Sequence, residues 1–413
     1  MRAAVLTIGT EVLIGDIVNT NATYIASKLT ELGYYTEEIL TIADDRQAIN
    51  GALVRLFNDY DVVICSGGLG PTSDDITVSV LASFFHSKMI FSEKVYEQIE
   101  KLFQQRNWKV TETNRRQAMV PDNAMILRNE LGTAPGLLFR RGGKVLVALP
   151  GVPFEMKRLM DDHVVPYLES GFGLNPLCRK YYMFTGIGES DLSDRLSDFE
   201  TELKHDKTEI AYLPSPGIIK LRLTLSQRNR EEAGKMIQRY TESLYALAPE
   251  YLYSAEGETL QQVVSRMLKK SQKTLAVAES CTGGYIAHLL TSIPGASEWF
   301  RGGVTAYSNE VKISILKVKK EDIDTHGAVS SEVAVQMAEG VKKQLRSDFA
   351  IGITGIAGPD GGRPEKPVGT VWVAVAGPDG VTSQHFLFGN SRERNITRAS
   401  FAALNHLRKS IGE

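Results

Sequence analysis

Apolar and polar positions follow two rhythms along this chain, and the change of rhythm divides it. Residues 1–65 open with the apolar run AAVLTIG, followed by Ala22, Ile25, Ala26, Leu29 and Leu32 at helical spacing, with Gly33 closing that stripe. EEILTI predicts a second strand, Ile49, Leu53, Leu56 and Phe57 a second helix face, and DVVIC a short buried strand. Strands alternating with helices predict a parallel sheet with helices packed on it. The pattern persists to about residue 170, through the apolar strand and turn of VLVALPGVP. From about 177 the order becomes a strand (YYMFTGIG), a helix (Leu192, Leu196, Phe199, Leu203), two strands (EIAYL and the alternating IIKLRLTL) and a helix over 230–247. That is a small β-α-β-β-α module. LAPEYLYSAEGE reads as a linker, punctuated by Pro249 and Gly257. From 258, Leu260, Val263, Val264, Met267 and Leu268 predict a helix face and TLAVA a strand. A further α/β domain runs to the end, with a hairpin at GPDG, residues 377–380. The expected domains are 1–172, 177–250 and 257–413.

Composition narrows the class. At 413 residues the chain exceeds one ordinary core, and 43% apolar content, 23% charged content and 36 glycines suit a soluble globular protein rich in tight turns. No stretch of 18 uncharged apolar residues occurs, and MRAAVLTIG breaks at Glu11 without the length or cleavage site of a signal peptide, so a cytoplasmic protein with no membrane partner is expected. Cys65, Cys178 and Cys281 are odd in number and far apart, which argues against a disulfide framework. A formal charge of −2 gives no electrostatic reason to expect nucleic acid. The seven histidines never fall three to five residues apart, so a zinc site built from local ligand pairs is not expected.

The first candidate chemistry lies in SGGLGPTSDD, residues 66–75, directly after the strand DVVIC. Ligands of open parallel sheets bind at the carboxyl ends of strands, and glycines there let backbone N–H groups approach phosphate oxygens. Gly67, Gly68 and Gly70 fit that use, although a tight turn with Asp74 or Asp75 capping the next helix explains the same letters. GTE at 9–11, GTAPG at 132–136 and LPGVPFE at 149–155 are further loops of this kind. Converging on one edge, they would build a pocket for a phosphorylated ligand. Glu11, Asp74, Asp75 and Glu155 would then supply oxygen ligands for a hard divalent cation such as Mg²⁺.

GTEVLIGDIVNTN, GGLGPTSDD, NRRQAMVP and LPGVPFEM resemble the N-terminal domain of the bacterial competence/damage-inducible CinA family, a relative of molybdopterin-binding proteins. The resemblance implies an α/β/α molybdopterin-binding-like fold. It also implies a pyrophosphatase dependent on Mg²⁺ or Co²⁺ that cleaves ADP-ribose to AMP and ribose 5-phosphate. Gly67, Gly68, Gly70, Thr72, Thr133, Gly136 and Gly151 are then candidate substrate contacts. The alternative is a nucleotide- or molybdopterin-type binding protein with no turnover there. The middle segment is similar to the KH-like module of the same family. Its loop reads GIGESD at 186–191, and between 176 and 250 there are 11 Lys plus Arg against 12 Asp plus Glu, so a spacer or dimer contact is expected rather than RNA binding.

The second candidate is ESCTGG, where the strand TLAVA meets the helix of Ile286, Leu289 and Leu290. Ser280, Cys281 and Thr282 stand side by side at a strand-to-helix turn, geometry that suits acyl transfer, while a capped structural turn uses the same residues. No histidine lies in this or the neighbouring motifs, which leaves Lys312 in YSNEVK as the base for a serine. A free lysine titrates near ~10.4, so that role demands burial or a nearby cation. Cys281 is the rival nucleophile, and adjacent residues at a sharp turn point apart, so one of the two is expected to face a pocket.

AESCTGG, YSNEVK, HGAVS, ITGIAGPDGG and KPVGTVW resemble the C-terminal CinA domain, which is similar to bacterial nicotinamide-nucleotide amidases. This implies an α/β/α amidase domain, without cofactor, that hydrolyses the carboxamide of nicotinamide mononucleotide (NMN) to nicotinate mononucleotide and ammonia. Carried over by motif, Ser280 is the nucleophile, Lys312 its general base and Tyr307 a neighbour in the catalytic pocket. Thr354, Gly355, Ala357 and Gly358 would line it, the backbone of Thr282, Gly283 and Gly284 would donate to the oxyanion, and Arg392, Arg394 and Arg398 are candidates for the phosphate. An amidase for another small amide is the alternative. The whole implies a two-activity enzyme of pyridine nucleotide salvage, with NMN and ADP-ribose as small-molecule partners and a homodimer as its assembly.

Overall fold

The computed structural model describes residues 1–72, 74–172, 178–225 and 230–412. Ser73 of the glycine loop, residue 177 at the expected start of the middle module, and Glu413 lie outside the described residues. Two compact units result, one spanning Met1–Cys178 and one spanning Arg179–Leu225 with the chain from Arg230 onward.

In the first unit the elements are β1 (Arg2–Ile8), α1 (Thr10–Leu13), α2 (Thr20–Glu31), β2 (Tyr35–Ile42), α3 (Arg46–Asp59), β3 (Val62–Ser66), α4 (Thr77–Phe84), β4 (Met89–Phe91), α5 (Glu93–Gln105), α6 (Glu112–Arg116), β5 (Met119–Pro121), β6 (Met125–Leu127), β7 (Gly136–Arg141), β8 (Lys144–Leu149), α7 (Pro153–Leu159) and α8 (Val165–Phe172). The main sheet has the order β2-β1-β3-β8-β7-β6. β2, β1, β3 and β8 are parallel as expected, and β7 and β6 extend the sheet antiparallel at one edge. Alternation along β1 explains the layering. Ala3 and Val5 pack on α2 and α7, whereas Ala4, Leu6 and Ile8 pack on α3, α4 and α5. All five residues of β3 are buried, as a central parallel strand requires. Each Leu or Ile fully buried this way contributes roughly 1.5–3 kcal/mol. Asp45 caps α3 by accepting the N–H groups of Gln47 and Ala48 at 2.9 Å, a contact worth about 1 kcal/mol.

The second unit begins with β9 (Cys178–Thr185), α9 (Glu189–Arg195), α10 (Ser197–His205), β10 (Thr208–Ser215), β11 (Ile218–Leu225), α11 (Arg230–Leu247) and β12 (Leu252–Ser254). The expected single helix over Leu192–Leu203 is broken at Leu196, whose φ of −98° and ψ of 10° leave the helical region. The stretch expected as a linker also carries structure. Leu252–Ser254 pairs antiparallel with β9, giving the sheet order β10-β11-β9-β12. Met183, Ile218 and Tyr253 share one apolar cluster with the last domain, and the tight turn at Gly217 rests on Arg398 and Phe401. The module is thus fixed to the domain that follows it.

That domain comprises α12 (Leu260–Ser271), β13 (Leu275–Glu279), α13 (Tyr285–Thr291), β14 (Phe300–Thr305), α14 (Asn309–Ser314), α15 (Lys320–His326), α16 (Ser331–Leu345), β15 (Phe349–Gly355), β16 (Thr370–Gly377), β17 (Gly380–Leu387) and α17 (Arg392–Gly412). Its sheet order is β14-β13-β15-β16-β17, with β14, β13 and β15 parallel and the hairpin β16–β17 turning at Gly377–Gly380. One face packs large side chains such as Leu275, Val277 and Ile351 on α12, α13 and α17. The other presents Ala276, Ala278, Ala350, Ala374 and Ala376 to α16. Small residues let α16 approach closely, and a Cβ at Gly352 would strike the Ala334 carbonyl. Among the described residues no helix is long and apolar enough to cross a membrane.

Candidate functional site

β13 is buried along its length and delivers Ser280 to the carboxyl end of the sheet, where the Ser280 N–H still bonds the Ile353 carbonyl at 3.0 Å. The chain then turns through Gly283 (φ +63°) and Gly284 (φ +101°) into α13, a left-handed backbone that glycine adopts without strain. Glu279 holds this turn. It is 1% exposed, and its carboxylate accepts the N–H groups of Gly284 (3.1 Å), Ile286 (3.0 Å) and Ala287 (2.8 Å). A buried anion at a helix start is stabilised by those free donors.

α14, capped by Ser308, brings Lys312 to the same place from the end of β14. Lys312 is 2% exposed, and its Nζ lies 3.1 Å from Ser280 Oγ. Nζ also donates to the carbonyls of Ala306 (2.8 Å) and Tyr307 (3.2 Å). Burial holds its proton affinity below that of an ordinary lysine. A neutral amine has two N–H groups and one lone pair. With two carbonyls taking the N–H groups, the lone pair is left for the Ser280 hydroxyl.

Ser280 and Cys281 both border the adjoining cavity of about 200 Å³, contrary to the expectation that one would turn away. They differ in electrostatics. Burial pushes the Cys281 thiol up to about 12, so a thiolate is disfavoured, and the amine sits on the serine. Tyr307, Lys312, Thr354, Gly355, Ala357 and Arg392 line the cavity, joined by Asn309, Ala328 and Val329, which the motifs did not single out. Arg392, in the lining, donates to the Gly358 carbonyl (2.8 Å) and to the Tyr307 hydroxyl (3.2 Å). Arg394 and Arg398 do not border the cavity, nor does Gly358 beyond holding Arg392.

Thr282, Gly283 and Gly284 are also corrected. None lines the cavity, and the N–H groups of Gly283 and Gly284 are spent on the Ser280 carbonyl and on Glu279. Among the described residues, the N–H groups of Cys281 and Ala357, both in the cavity wall, form no backbone hydrogen bond.

In the first unit the ends of β1, β3 and β8 surround a cavity of about 400 Å³. The glycine loop enters it because Gly67 (φ +114°) passes against the Ile8 carbonyl, where any Cβ would collide, while its N–H bonds the Leu149 carbonyl at 3.0 Å. Gly67, Gly68, Gly70, Thr133, Gly151, Glu11, Asp74, Asp75 and Glu155 all border this cavity. Thr72 and Gly136 do not. The Thr72 N–H and hydroxyl bond the Asp75 carboxylate, and Gly136 starts β7 against Leu127 and Leu149.

Five carboxylates line the cavity, Asp44 being the one not singled out, and no Lys or Arg does so among the described residues. Asp44 accepts from the Thr10 N–H and hydroxyl, and Asp75 from Thr72. Burial raises the proton affinity of Glu155, against a hydrogen bond from Asn129 Nδ2 at 2.7 Å. The exposed Asp74 carboxylate is held below its ordinary value by Thr72. Among the described residues no three of His, Cys, Asp and Glu come together as a metal-holding group. The four expected ligands therefore share a cavity without forming a metal centre of their own. Mg²⁺ is commonly held by one or two carboxylates together with substrate phosphates, and the donor set fits that mode only.

Three family models match the chain in tandem: "Probable molybdopterin binding domain" over residues 4–170, "Damage-inducible protein CinA KH domain" over 179–254 and "CinA C-terminal domain" over 257–411. A CinA-like protein of Cytophaga hutchinsonii is 39% identical over 411 residues, covering 100% of this chain and 98% of the relative. A CinA-like protein of Dictyoglomus thermophilum is 39% identical over 412 residues, covering 100% and 99%. Among solved structures, CinA of Thermoplasma acidophilum is 38% identical, with 39% of this chain and 94% of that chain covered and a TM-score of 0.37.

Proposed function

The chain belongs to the CinA family, and from that premise we propose that its C-terminal cavity hydrolyses the carboxamide of NMN to nicotinate mononucleotide and ammonia. One observation carries this reading, the buried Lys312 amine 3.1 Å from Ser280 Oγ with its N–H groups already engaged. Lys312 takes the Ser280 proton as Oγ attacks the carboxamide carbon. The developing oxyanion is met by the N–H groups of Cys281 and Ala357. Lys312 returns the proton to the departing nitrogen, which leaves as ammonia. Water, deprotonated by the same amine, then cleaves the acyl-serine ester and restores both residues. The cavity is smaller than the ~300–1,000 Å³ of sites that enclose a whole ligand. It suits the nicotinamide ring, with the phosphate at the mouth beside Arg392.

Ammonia release from NMN by wild type, Ser280→Ala, Cys281→Ala and Lys312→Met tests it. Wild type and Cys281→Ala should turn over, and the other two should not. A Ser280→Ala protein at wild-type rate, or a wild type that releases ammonia from glutamine but not from NMN, would sink the assignment.

For the N-terminal cavity we propose a metal-dependent ADP-ribose pyrophosphatase. A pyrophosphate cannot approach five carboxylates without a cation, and bound Mg²⁺ or Co²⁺ would neutralise it and polarise the bridging bond. Glu155, fixed by Asn129, is suited to accept the proton of attacking water. The lack of a self-contained ligand set favours a second reading, binding without turnover. Release of AMP from ADP-ribose with added metal supports hydrolysis, and binding without AMP supports the second reading.

A further inference from the structure

Two amide side chains in the wall of the N-terminal cavity carry buried polar atoms that have no partner among the described residues. Gln117, between α6 and β5, is 9% exposed, and among the described residues neither its Nε2 nor its Oε1 has a hydrogen-bond partner. Asn21, also 9% exposed, donates from Nδ2 to Ser66 Oγ (2.9 Å) and the Gly151 carbonyl (2.7 Å), while its Oδ1 is unpartnered. Asn19 and Ser66 of the same wall are paired: Asn19 donates to Thr7 and accepts from the Ala22 N–H, and Ser66 donates to the Pro150 carbonyl. Buried amide atoms without partners are costly, and a native fold keeps them where something else supplies the partner.

The chemistry of Gln117 limits what that is. A phosphate or carboxylate offers acceptors only, so it would satisfy Nε2 and repel Oε1. A flat edge with a donor beside an acceptor satisfies both, and adenine has one, its exocyclic amine next to a ring nitrogen. The cavity also has an apolar border for such a ring. Ile17, Val18 and Val152 line it while 56%, 81% and 41% exposed, and a planar base laid on them would cover that surface.

We infer that Gln117 reads the adenine edge of the nucleotide in the N-terminal cavity, Nε2 donating to ring N7 and Oε1 accepting from the exocyclic amine, an edge that presents only acceptors in inosine. This deepens the reading of that cavity as an ADP-ribose site and rests on it. The test is calorimetric binding, with Mg²⁺ present, of ADP-ribose and of its inosine analogue, in which a carbonyl replaces the amine, to wild type and Gln117→Met. Wild type should prefer ADP-ribose by about 10- to 100-fold, and Gln117→Met should lose that preference. Because the substitution removes two unpaired buried atoms, the unliganded variant should melt no lower than wild type. A variant that keeps the preference, or a wild type that binds both analogues equally, overturns the inference. A wild type that binds neither overturns the nucleotide reading beneath it.

Discussion

Replacing Glu279 by Gln isolates the residue that holds the Ser280 turn, because it keeps the shape and removes the charge. One carboxylate oxygen accepts from Gly284 and Ile286, the other from Ala287. A glutamine has one acceptor oxygen. Placed toward Gly284 and Ile286, it keeps two bonds in weaker, uncharged form and sets its NH₂ against the Ala287 N–H. The opposite placement loses two. Hydrogen bonds to charged groups are worth about 1.5–3 kcal/mol and a buried donor left unpaired costs about 1–3, so a net loss of roughly 2–4 kcal/mol is expected. Urea unfolding followed by tryptophan fluorescence reads it, since Trp299, 1% exposed, and Trp372 both lie in this unit. A loosened turn also misplaces Ser280 Oγ relative to Lys312, and shifts of about 1 Å can cost on the order of 10²-fold in rate. Ammonia release from NMN should therefore lose kcat with KM little changed. Stability within about 0.5 kcal/mol of wild type together with an unchanged kcat would refute the reasoning, since that is the range of substitutions that touch nothing important.

Four further outcomes follow from the geometry of the two cavities. Because burial lowers the proton affinity of Lys312, the amide hydrolysis rate should rise with pH to a midpoint below that of an ordinary lysine, and Lys312→Arg, which stays charged, should be inactive across the profile. The linked stability has the matching sign: the folded state binds fewer protons than the unfolded one between the lowered value and ~10.4, so wild-type stability should rise with pH through that window and Lys312→Met should flatten the rise. Arg392→Ala should raise KM for NMN by about 10- to 100-fold while leaving turnover of the phosphate-free nicotinamide riboside unchanged; equal effects on both would place the phosphate elsewhere. A chelator should abolish AMP release from ADP-ribose and spare ammonia release from NMN, and equal sensitivity of the two would contradict the separate assignments.

The alternation of strands and helices was legible because apolar periodicity is local, and β1, β3, β8 and β13 fall where their runs predict. Pairing is not local. Leu252–Ser254 is too short to show a period and becomes a strand only because β9 offers an edge. The Ser280–Lys312 pair could be anticipated by residue type, since no histidine lies in the neighbouring motifs and Lys312 was left as the base; that both follow strand ends of one parallel sheet shows only in the pairing of β13 with β14. The use of Glu279 could not, because whether its carboxylate captures N–H groups five to eight residues ahead depends on the path through two left-handed glycines. The three arginines of SRERNITR were indistinguishable as letters. Helix phase selects Arg392, and Asn395, one turn on, bonds the Ala357 carbonyl at 3.0 Å and so fixes that phase. Likewise the loops around Glu11, Asp74, Asp75 and Glu155 could be brought to one edge from topology, but not the directions of their carboxylates.

On the proposed readings the two cavities would meet the same problem, an anionic nucleotide, with opposite charge. Arg392 lines the C-terminal one, with no Asp or Glu lining it among the described residues, so a phosphate would be attracted by the chain itself. The N-terminal cavity holds five carboxylates and no cationic side chain among the described residues. Like charges at 4 Å repel by about 4 kcal/mol at an effective dielectric of 20, a penalty that sums over several carboxylates and would exclude a bare pyrophosphate. A divalent ion reverses the sign. Occupancy of the N-terminal cavity should thus follow divalent-metal concentration at fixed ADP-ribose, whereas the C-terminal cavity should respond to monovalent salt alone, as screening weakens the attraction of Arg392 for phosphate.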